Sequence, residues 1–183
     1  MVQQVCATHG IAKDRTFVAG LSAGAAMAVI LGETYPDVFA AVGVHSGLAF
    51  GSAKDVASAF AAMAGPTAAP LQKKSHIPTI VFHGTADATV HPSNGDAVVK
   101  QAQDAGPGQT LETLENGSQG GRAYSVLRCA SADGQPTLEH CTVSGLGHAW
   151  SGGNTDGSYT DPKGPDASAE MIRFFFELPL QGA

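Results

Sequence analysis

Charged residues are scarce in this chain, making up 14% of its 183 residues against 43% hydrophobic residues. This balance indicates a compact globular protein and excludes a disordered one. The ten lysines and arginines are scattered and the net charge is −6. A surface that binds phosphate groups, and therefore a nucleic-acid partner, is not expected.

Long apolar runs are also missing, since none approaches the roughly 18 residues that a membrane-spanning helix needs. The first residues, Met1 to Gln4, lack the basic start and apolar core of a secretory signal peptide. The histidines are dispersed and show no spacing typical of a metal site. No glycine-rich phosphate loop precedes a helix in the required form. The sequence therefore predicts no membrane partner, no metal and no cofactor.

Cysteine is limited to Cys6, Cys129 and Cys141. An odd number leaves at least one thiol unpaired. Cys129 and Cys141 flank a turn-rich segment, so a disulfide between them and a pair of buried thiols are both open.

Apolar segments alternate with helical patterns along the chain. The predicted strands are Arg15 to Leu21, Phe39 to Val44, Pro78 to His83, Thr110 to Leu114, Ala123 to Cys129 and Leu138 to Ser144. The predicted helices are Met1 to His9, a segment from Ser22 that Pro36 ends, Lys54 to Met63, Asn94 to Ala105, and Pro165 to Leu178 with Asp166 as its cap. A loop rich in proline and alanine follows Met63. This order predicts one α/β domain, residues 1–183, with a mostly parallel sheet and helices on both faces.

The segment Gly20-Leu21-Ser22-Ala23-Gly24 matches the pattern G-x-S-x-G. It joins a predicted buried strand to a helix, as a nucleophile elbow requires. Such a turn exposes the serine hydroxyl, its glycines keep side chains away from neighbouring backbone, and the helix start directs N–H groups at a developing oxyanion. The alternative is an ordinary strand-to-helix turn in which Ser22 only caps the helix.

A serine nucleophile needs a base, and the base needs a group that orients it. Asp87 follows a predicted strand and a glycine loop, and is the candidate acid. His148 lies among glycines directly after the last strand, and is the candidate base. His83 and His91 are rivals for the base, but both lie beside Asp87 and precede the last strand.

Two further residues are candidates for contacting a substrate. Trp150, the only tryptophan, lies two residues from His148 and offers an apolar wall; core packing is the alternative. His45 follows the second strand and could line the pocket, although a histidine in such a place more often forms structural hydrogen bonds.

Several segments together resemble the polyhydroxybutyrate depolymerase-like and feruloyl esterases of the α/β-hydrolases, a group to which acetylxylan esterases are related. They are Val18 to Gly24, His83 to Asp87, Gly147 to Gly153, Gly157 to Pro162, Gly164 to Ser168 and Phe174 to Phe176. The resemblance implies Ser22 as nucleophile, Asp87 as acid, His148 as base and the Ala23 N–H as an oxyanion donor. It implies hydrolysis of short-chain, polyester or feruloyl esters without metal or cofactor, in a secreted or periplasmic protein.

Members of that family carry further strands before the elbow, including a loop that supplies the second oxyanion donor. This chain begins about one helix before the elbow, so we expect a truncated α/β-hydrolase, and a gene fragment is a further possibility. The strand Arg15 to Leu21 then becomes an apolar sheet edge, which predicts a homodimer that covers it. The alternative function is a catalytically impaired remnant that acts as a binding or dimerisation module.

Overall fold

The computed structural model describes residues 1–65, 76–106 and 110–179. Its helices are α1 Val2–His9, α2 Ala23–Thr34, α3 Val56–Met63, α4 Ser93–Ala105 and α5 Ala167–Glu177. Its strands are β1 Phe17–Leu21, β2 Ala41–His45, β3 Thr79–Gly84, β4 Thr110–Gln119, β5 Arg122–Ser131, β6 Pro136–Val143, β7 Trp150–Ser151 and β8 Thr160–Asp161. Every predicted helix and strand is present with shifted ends, whereas most of the proline- and alanine-rich loop after Met63 lies outside the described residues.

Six strands form one sheet in the order β1-β2-β3-β6-β5-β4, with parallel pairing from β1 to β6. The β4–β5 hairpin adds two antiparallel strands at one edge. All residues of β2 and β3 are buried, as expected for central parallel strands covered on both faces. β1 is the opposite edge and remains partly exposed.

Two apolar clusters cover the two faces of this sheet. One contains the buried residues of α2 and α4, and the other contains those of α5. α5 begins at Asp166, whose carboxylate accepts a hydrogen bond from the Ala169 N–H at 3.0 Å, as predicted for a helix cap. The prediction of helices on both faces of a mostly parallel sheet is therefore confirmed.

The two cysteines that could have formed a disulfide are both free and buried. In the β5–β6 pair, Cys129 lies opposite Leu138, three residues before Cys141. Successive side chains alternate between sheet faces, so an odd separation places the two thiols on opposite faces. Accordingly, Cys129 belongs to the α2–α4 cluster and Cys141 to the α5 cluster. The structure therefore shows two buried free thiols rather than a disulfide between Cys129 and Cys141.

Among the described residues, no helix is long and apolar enough to span a bilayer. The same residues contain no group of three or more histidine, cysteine or acidic side chains placed to hold a metal ion.

Candidate active site

The turn between β1 and α2 has an unusual backbone at Ser22. Its φ of 58° and ψ of −120° are rare for a residue with a side chain. The Ser22 N–H donates to the His45 carbonyl at 2.9 Å, which ties the turn to the end of β2. The Ser22 hydroxyl makes no capping hydrogen bond with α2. The turn therefore has the strained geometry of an elbow, and the alternative role of Ser22 as a simple helix cap finds no support.

The two glycines of the elbow differ in how closely they are packed. A Cβ on Gly20 would lie 2.8 Å from the amide nitrogen of Ala25 and closer still to the Gly24 carbonyl. A Cβ on Gly24 would meet nothing within 4 Å. Gly20 is therefore needed because a side chain there would collide with backbone, as expected for the motif. The expectation does not hold for Gly24, which has room for a side chain.

Asp87 lies in the turn after β3, and His148 lies in the loop after β6. Nδ1 of His148 donates to Oδ2 of Asp87 at 2.9 Å. The two loops are also bonded to each other, since the Ala86 N–H donates to the Leu146 carbonyl and the Gly145 N–H donates to Oγ1 of Thr85. The structure therefore brings the candidate acid and base together, 61 residues apart in sequence.

Asp87 is surrounded by hydrogen-bond donors. Oδ1 accepts from the N–H groups of Thr89 at 3.0 Å and Val90 at 2.9 Å. Burial raises the pKa of this carboxyl, but hydrogen bonds from His148, the Val90 amide and the Ser46 side chain outweigh burial and lower the pKa below its usual value. Asp87 is therefore ionised at neutral pH although its side chain has no exposed surface.

Neither rival histidine occupies the position of a base. His83 is buried and its Nε2 donates to the Val90 carbonyl at 2.9 Å; burial lowers its pKa, so it is neutral at pH 7. His91 is exposed and its Nδ1 bonds to the Ser93 hydroxyl.

Ser22 and the Asp87–His148 pair all follow parallel strands at the carboxyl edge of the sheet, where open α/β sheets bind ligands. No hydrogen bond joins the Ser22 hydroxyl to Asp87 or His148 in the described part of the chain.

Trp150 and His45 form a stack next to this pair. Their ring centroids are 5.1 Å apart with an interplanar angle of 27°. Trp150 is partly exposed and its Nε1 donates to the Ser168 hydroxyl at 3.1 Å. His45 is completely buried, so its ring offers no surface to a ligand, and its nitrogens form structural hydrogen bonds instead. The structure therefore shows the structural alternative for His45 rather than a pocket wall.

Sequence reasoning missed two residues of this region, Ser46 and Tyr159. Both have positive φ, 52° and 56°, and with Ser22 they are the three described residues other than glycine that do. Tyr159 is exposed, and its ring meets that of His148 edge-on at 6.5 Å. Tyr159 lies within the segment Gly157 to Pro162 that carries the family resemblance, but neither serine nor tyrosine is a usual choice for this backbone conformation, so the sequence does not predict it at either position.

Comparisons with known proteins identify the family of this chain. The model of the family described as Esterase PHB depolymerase matches residues 1–106. The chain belongs to this family. The predicted resemblance is thereby confirmed for the part of the chain that contains the elbow and Asp87.

Among relatives in this family, poly(3-hydroxyalkanoate) depolymerase C of Paucimonas lemoignei is 35% identical over 162 residues, covering 81% of this chain and 38% of that protein. The probable acetylxylan esterase A of Aspergillus clavatus is 32% identical over 106 residues, covering 48% of this chain and 34% of that protein. The chain thus spans about a third of the length of the curated relatives it matches.

The acetyl xylan esterase from Aspergillus awamori has a similar structure, with a TM-score of 0.60 and 19% identity. The match covers 97% of this chain and 65% of that one. At this identity the likeness is one of fold, and the fold is that of α/β-hydrolase esterases.

Proposed function

We propose that this protein is a serine hydrolase of carboxylic esters that acts through an acyl-enzyme. The observation that carries the proposal is the hydrogen bond from His148 to a buried, ionised Asp87, on the same sheet edge as the strained turn at Ser22. A carboxylate at Nδ1 keeps the proton on that nitrogen, so Nε2 is the basic nitrogen of the ring.

In the proposed mechanism the Ser22 hydroxyl attacks the ester carbonyl while Nε2 of His148 takes its proton. The Ala23 N–H, the first of helix α2, donates to the oxyanion. The protonated His148 returns the proton to the departing alcohol, and Asp87 stabilises the imidazolium meanwhile. Water then attacks the acyl-enzyme by the same steps and releases the acid.

For the substrate we propose esters of short acyl groups, of polyesters or of feruloyl type. Support comes from the related proteins, which are named as poly(3-hydroxyalkanoate) depolymerase and probable acetylxylan esterase. We assign Trp150 and Tyr159 to contacts with the acyl or alcohol group. The Tyr159 ring meets that of His148 edge-on, Trp150 follows His148 by two residues, and both side chains have exposed surface.

We also propose a homodimer that covers the edge strand β1. β1 pairs with β2 alone, and its other side is unpaired among the described residues. The neighbouring helix α2 has no charged residue from Ala23 to Gly32, yet it exposes Met27 and Ile30. An unpaired edge beside an apolar helix face is a surface that association would bury.

The decisive experiment is an activity panel on p-nitrophenyl acetate, ethyl ferulate and a polyester film. We expect turnover by the wild type and loss of at least about 10⁴-fold in Ser22→Ala, because removal of a nucleophile leaves only residual catalysis. A fluorophosphonate probe should label the wild type at Ser22 and leave Ser22→Ala unlabelled. Equal turnover by the two proteins, or a wild type that resists the probe, would instead support a catalytically impaired binding module.

A further inference from the structure

His45 is bonded both to the turn that carries Ser22 and to the strand that carries Trp150. We infer that His45 is a positioning residue whose buried ring fixes Trp150 on the segment that follows His148, and so sets the affinity of the site for esters with an aromatic ring. The inference rests on the proposed function, in which Trp150 contacts the substrate.

The main chain of His45 is joined to the turn of the proposed nucleophile. The Ser22 N–H donates to the His45 carbonyl at 2.9 Å. His45 is the last residue of β2, whose five residues are all buried and which pairs with β1 on one side and β3 on the other. The sheet therefore holds His45 at a fixed place next to the Ser22 turn.

The side chain of His45 is joined to strand β7. The Ser151 N–H donates to Nε2 of His45 at 3.1 Å, and Nδ1 lies 3.2 Å from Oγ of Ser46. A backbone N–H can only donate, so Nε2 carries no proton and the ring proton is on Nδ1. Burial, followed by the neighbouring His83, lowers the pKa of His45 to about 3, so this neutral form is present at pH 7.

The indole of Trp150 packs on the His45 ring. Their centroids are 5.1 Å apart with an interplanar angle of 27°, and the Phe82 ring stacks with His45 at 5.8 Å. His45 and Phe82 are completely buried, whereas Trp150 keeps part of its surface exposed. Trp150 therefore has a firm support on one side and surface for a ligand on another.

His148 has an attachment of its own that does not involve His45. Its Nδ1 donates to Oδ2 of Asp87 at 2.9 Å. Trp150 is held instead by the bond from the next residue to His45, and by its own N–H, which donates to the Tyr159 carbonyl at 2.8 Å. Loss of the acceptor on His45 should therefore disturb Trp150 more than it disturbs the Asp87–His148 pair.

The test compares His45→Phe with His45→Gln. Both replacements keep a planar group against Trp150, but only glutamine has an oxygen that accepts from the buried Ser151 N–H. We expect KM for ethyl ferulate to rise about tenfold in His45→Phe, the size expected for one lost hydrogen bond, and less than about threefold in His45→Gln. On ethyl acetate, which has no aromatic ring, kcat/KM should stay within about threefold of wild type in both. His45→Leu, which also lacks an acceptor, replaces His45→Phe if that variant does not fold.

Two further variants show whether His45 acts through Trp150. Trp150→Ala should raise KM for ethyl ferulate, and His45→Phe should raise it no further in that background, because effects on one shared contact do not add. His140→Phe is the matched control. It makes the same substitution at a histidine of β6, whose Nε2 lies 3.5 Å from the Thr142 hydroxyl, and should leave KM as in wild type.

A general structural role for His45 makes a different pattern. The inference is overturned if the effects of His45→Phe and Trp150→Ala add, if His45→Gln or His140→Phe raises KM as much as His45→Phe, or if Trp150→Ala leaves KM unchanged. Ser22→Ala, measured alongside, separates these outcomes from failure of the proposed function, since that failure leaves Ser22→Ala equal to wild type.

A readout without substrate completes the test. Trp150 is the only tryptophan of the chain, so its fluorescence reports this position alone. We expect a larger rate constant for quenching by acrylamide in His45→Phe, with His45→Gln and His140→Phe close to wild type. An unchanged rate constant in His45→Phe overturns the inference even if no ester is turned over.

Discussion

At the scale of single residues, the site depends on where a side chain is absent as much as on where one is present. Gly20 lies against the first turn of α2, so close that a Cβ there would collide with backbone. Backbone cannot move aside as a flexible side chain can, so the turn would have to open. Ser22 follows Gly20 by two residues and would be displaced with it.

We predict that Gly20→Ala lowers the free energy of unfolding by about 1–3 kcal/mol, as overpacking does, and strongly reduces ester turnover. Gly24→Ala is the matched control, because it lies in the same motif with no atom within 4 Å of its added Cβ. It should keep activity and slightly stabilise α2, since alanine is the better helix former. Urea unfolding and kcat on p-nitrophenyl acetate give both quantities. Equal effects of the two substitutions would contradict the prediction.

At the scale of elements, the two edges of the sheet differ. Strand β4 of the β4–β5 hairpin is one edge, and its exposed residues are mostly polar. Strand β1 is the other edge, and it lies beside the apolar helix α2. Natural sheets protect exposed edges with charge, and α2 provides none before Glu33. This asymmetry is why the proposed association involves β1.

We predict that the protein is a dimer at micromolar concentration and that Ile30→Glu shifts it towards monomer, because a charge on the exposed face of α2 must be buried in the interface. Phe60→Glu is the control, since Phe60 is an exposed apolar residue on α3 instead. Light scattering coupled to size exclusion measures the mass. A monomeric wild type, or the same dimer in Ile30→Glu, would remove the basis for the proposal.

The bounds of the strands show which elements the pattern of apolar residues predicts correctly and which it does not. β2 and β3 were predictable because uninterrupted apolar runs between turn residues have few other interpretations. β4 was predicted to end at Leu114 but continues to Gln119, through Asn116, Gly117 and Ser118. These residues have low strand propensity, and pairing with β5 through the tight turn at Gly120 and Gly121 overrides it.

At the scale of the whole molecule, buried histidines link stability to pH. Burial lowers the pKa of His45 to about 3 and lowers that of His83 as well, whereas in the unfolded chain a histidine titrates near 6.5. A lowered folded pKa means that the full stability is present above pH 6.5 and is lost as pH falls towards the folded pKa. Between pH 6.5 and about 3, protonation of His45 should lower the free energy of unfolding by about 1.4 kcal/mol per pH unit, and His83 should act in the same direction.

We predict that urea unfolding between pH 7.5 and 5 gives a steep loss of stability below pH 6.5, and that His45→Gln makes this slope shallower by about 1.4 kcal/mol per pH unit. His91→Gln, at an exposed position, should leave the slope as in the wild type. The slope is independent of any overall destabilisation by the substitution. An unchanged slope in His45→Gln would show that its ring is not neutral in the folded protein.

The candidate site was predictable to a similar degree as the fold. The strained turn at Ser22 and the Asp87–His148 pair could be predicted because each residue follows a strand in a known order. The bond between His45 and Ser151 could not be predicted, since Ser151 is 106 residues away in strand β7 and only the folded chain brings it to His45. Hydrogen bonds between distant segments depend on the packed sheet and leave no periodic trace in sequence.

The separation of Cys129 and Cys141 by the sheet has a practical consequence for measuring motion. Burial raises the pKa of Cys141 to about 12 and also raises that of Cys129, so neither thiol reacts while its face of the sheet stays closed. The alkylation rate of each thiol therefore measures how often its side of the sheet opens. The rate of Cys129 reports opening of the face covered by α2 and α4, and the rate of Cys141 reports opening of the face covered by α5. Equal rates indicate that the layers separate only when the whole molecule unfolds, and unequal rates identify the layer that detaches first.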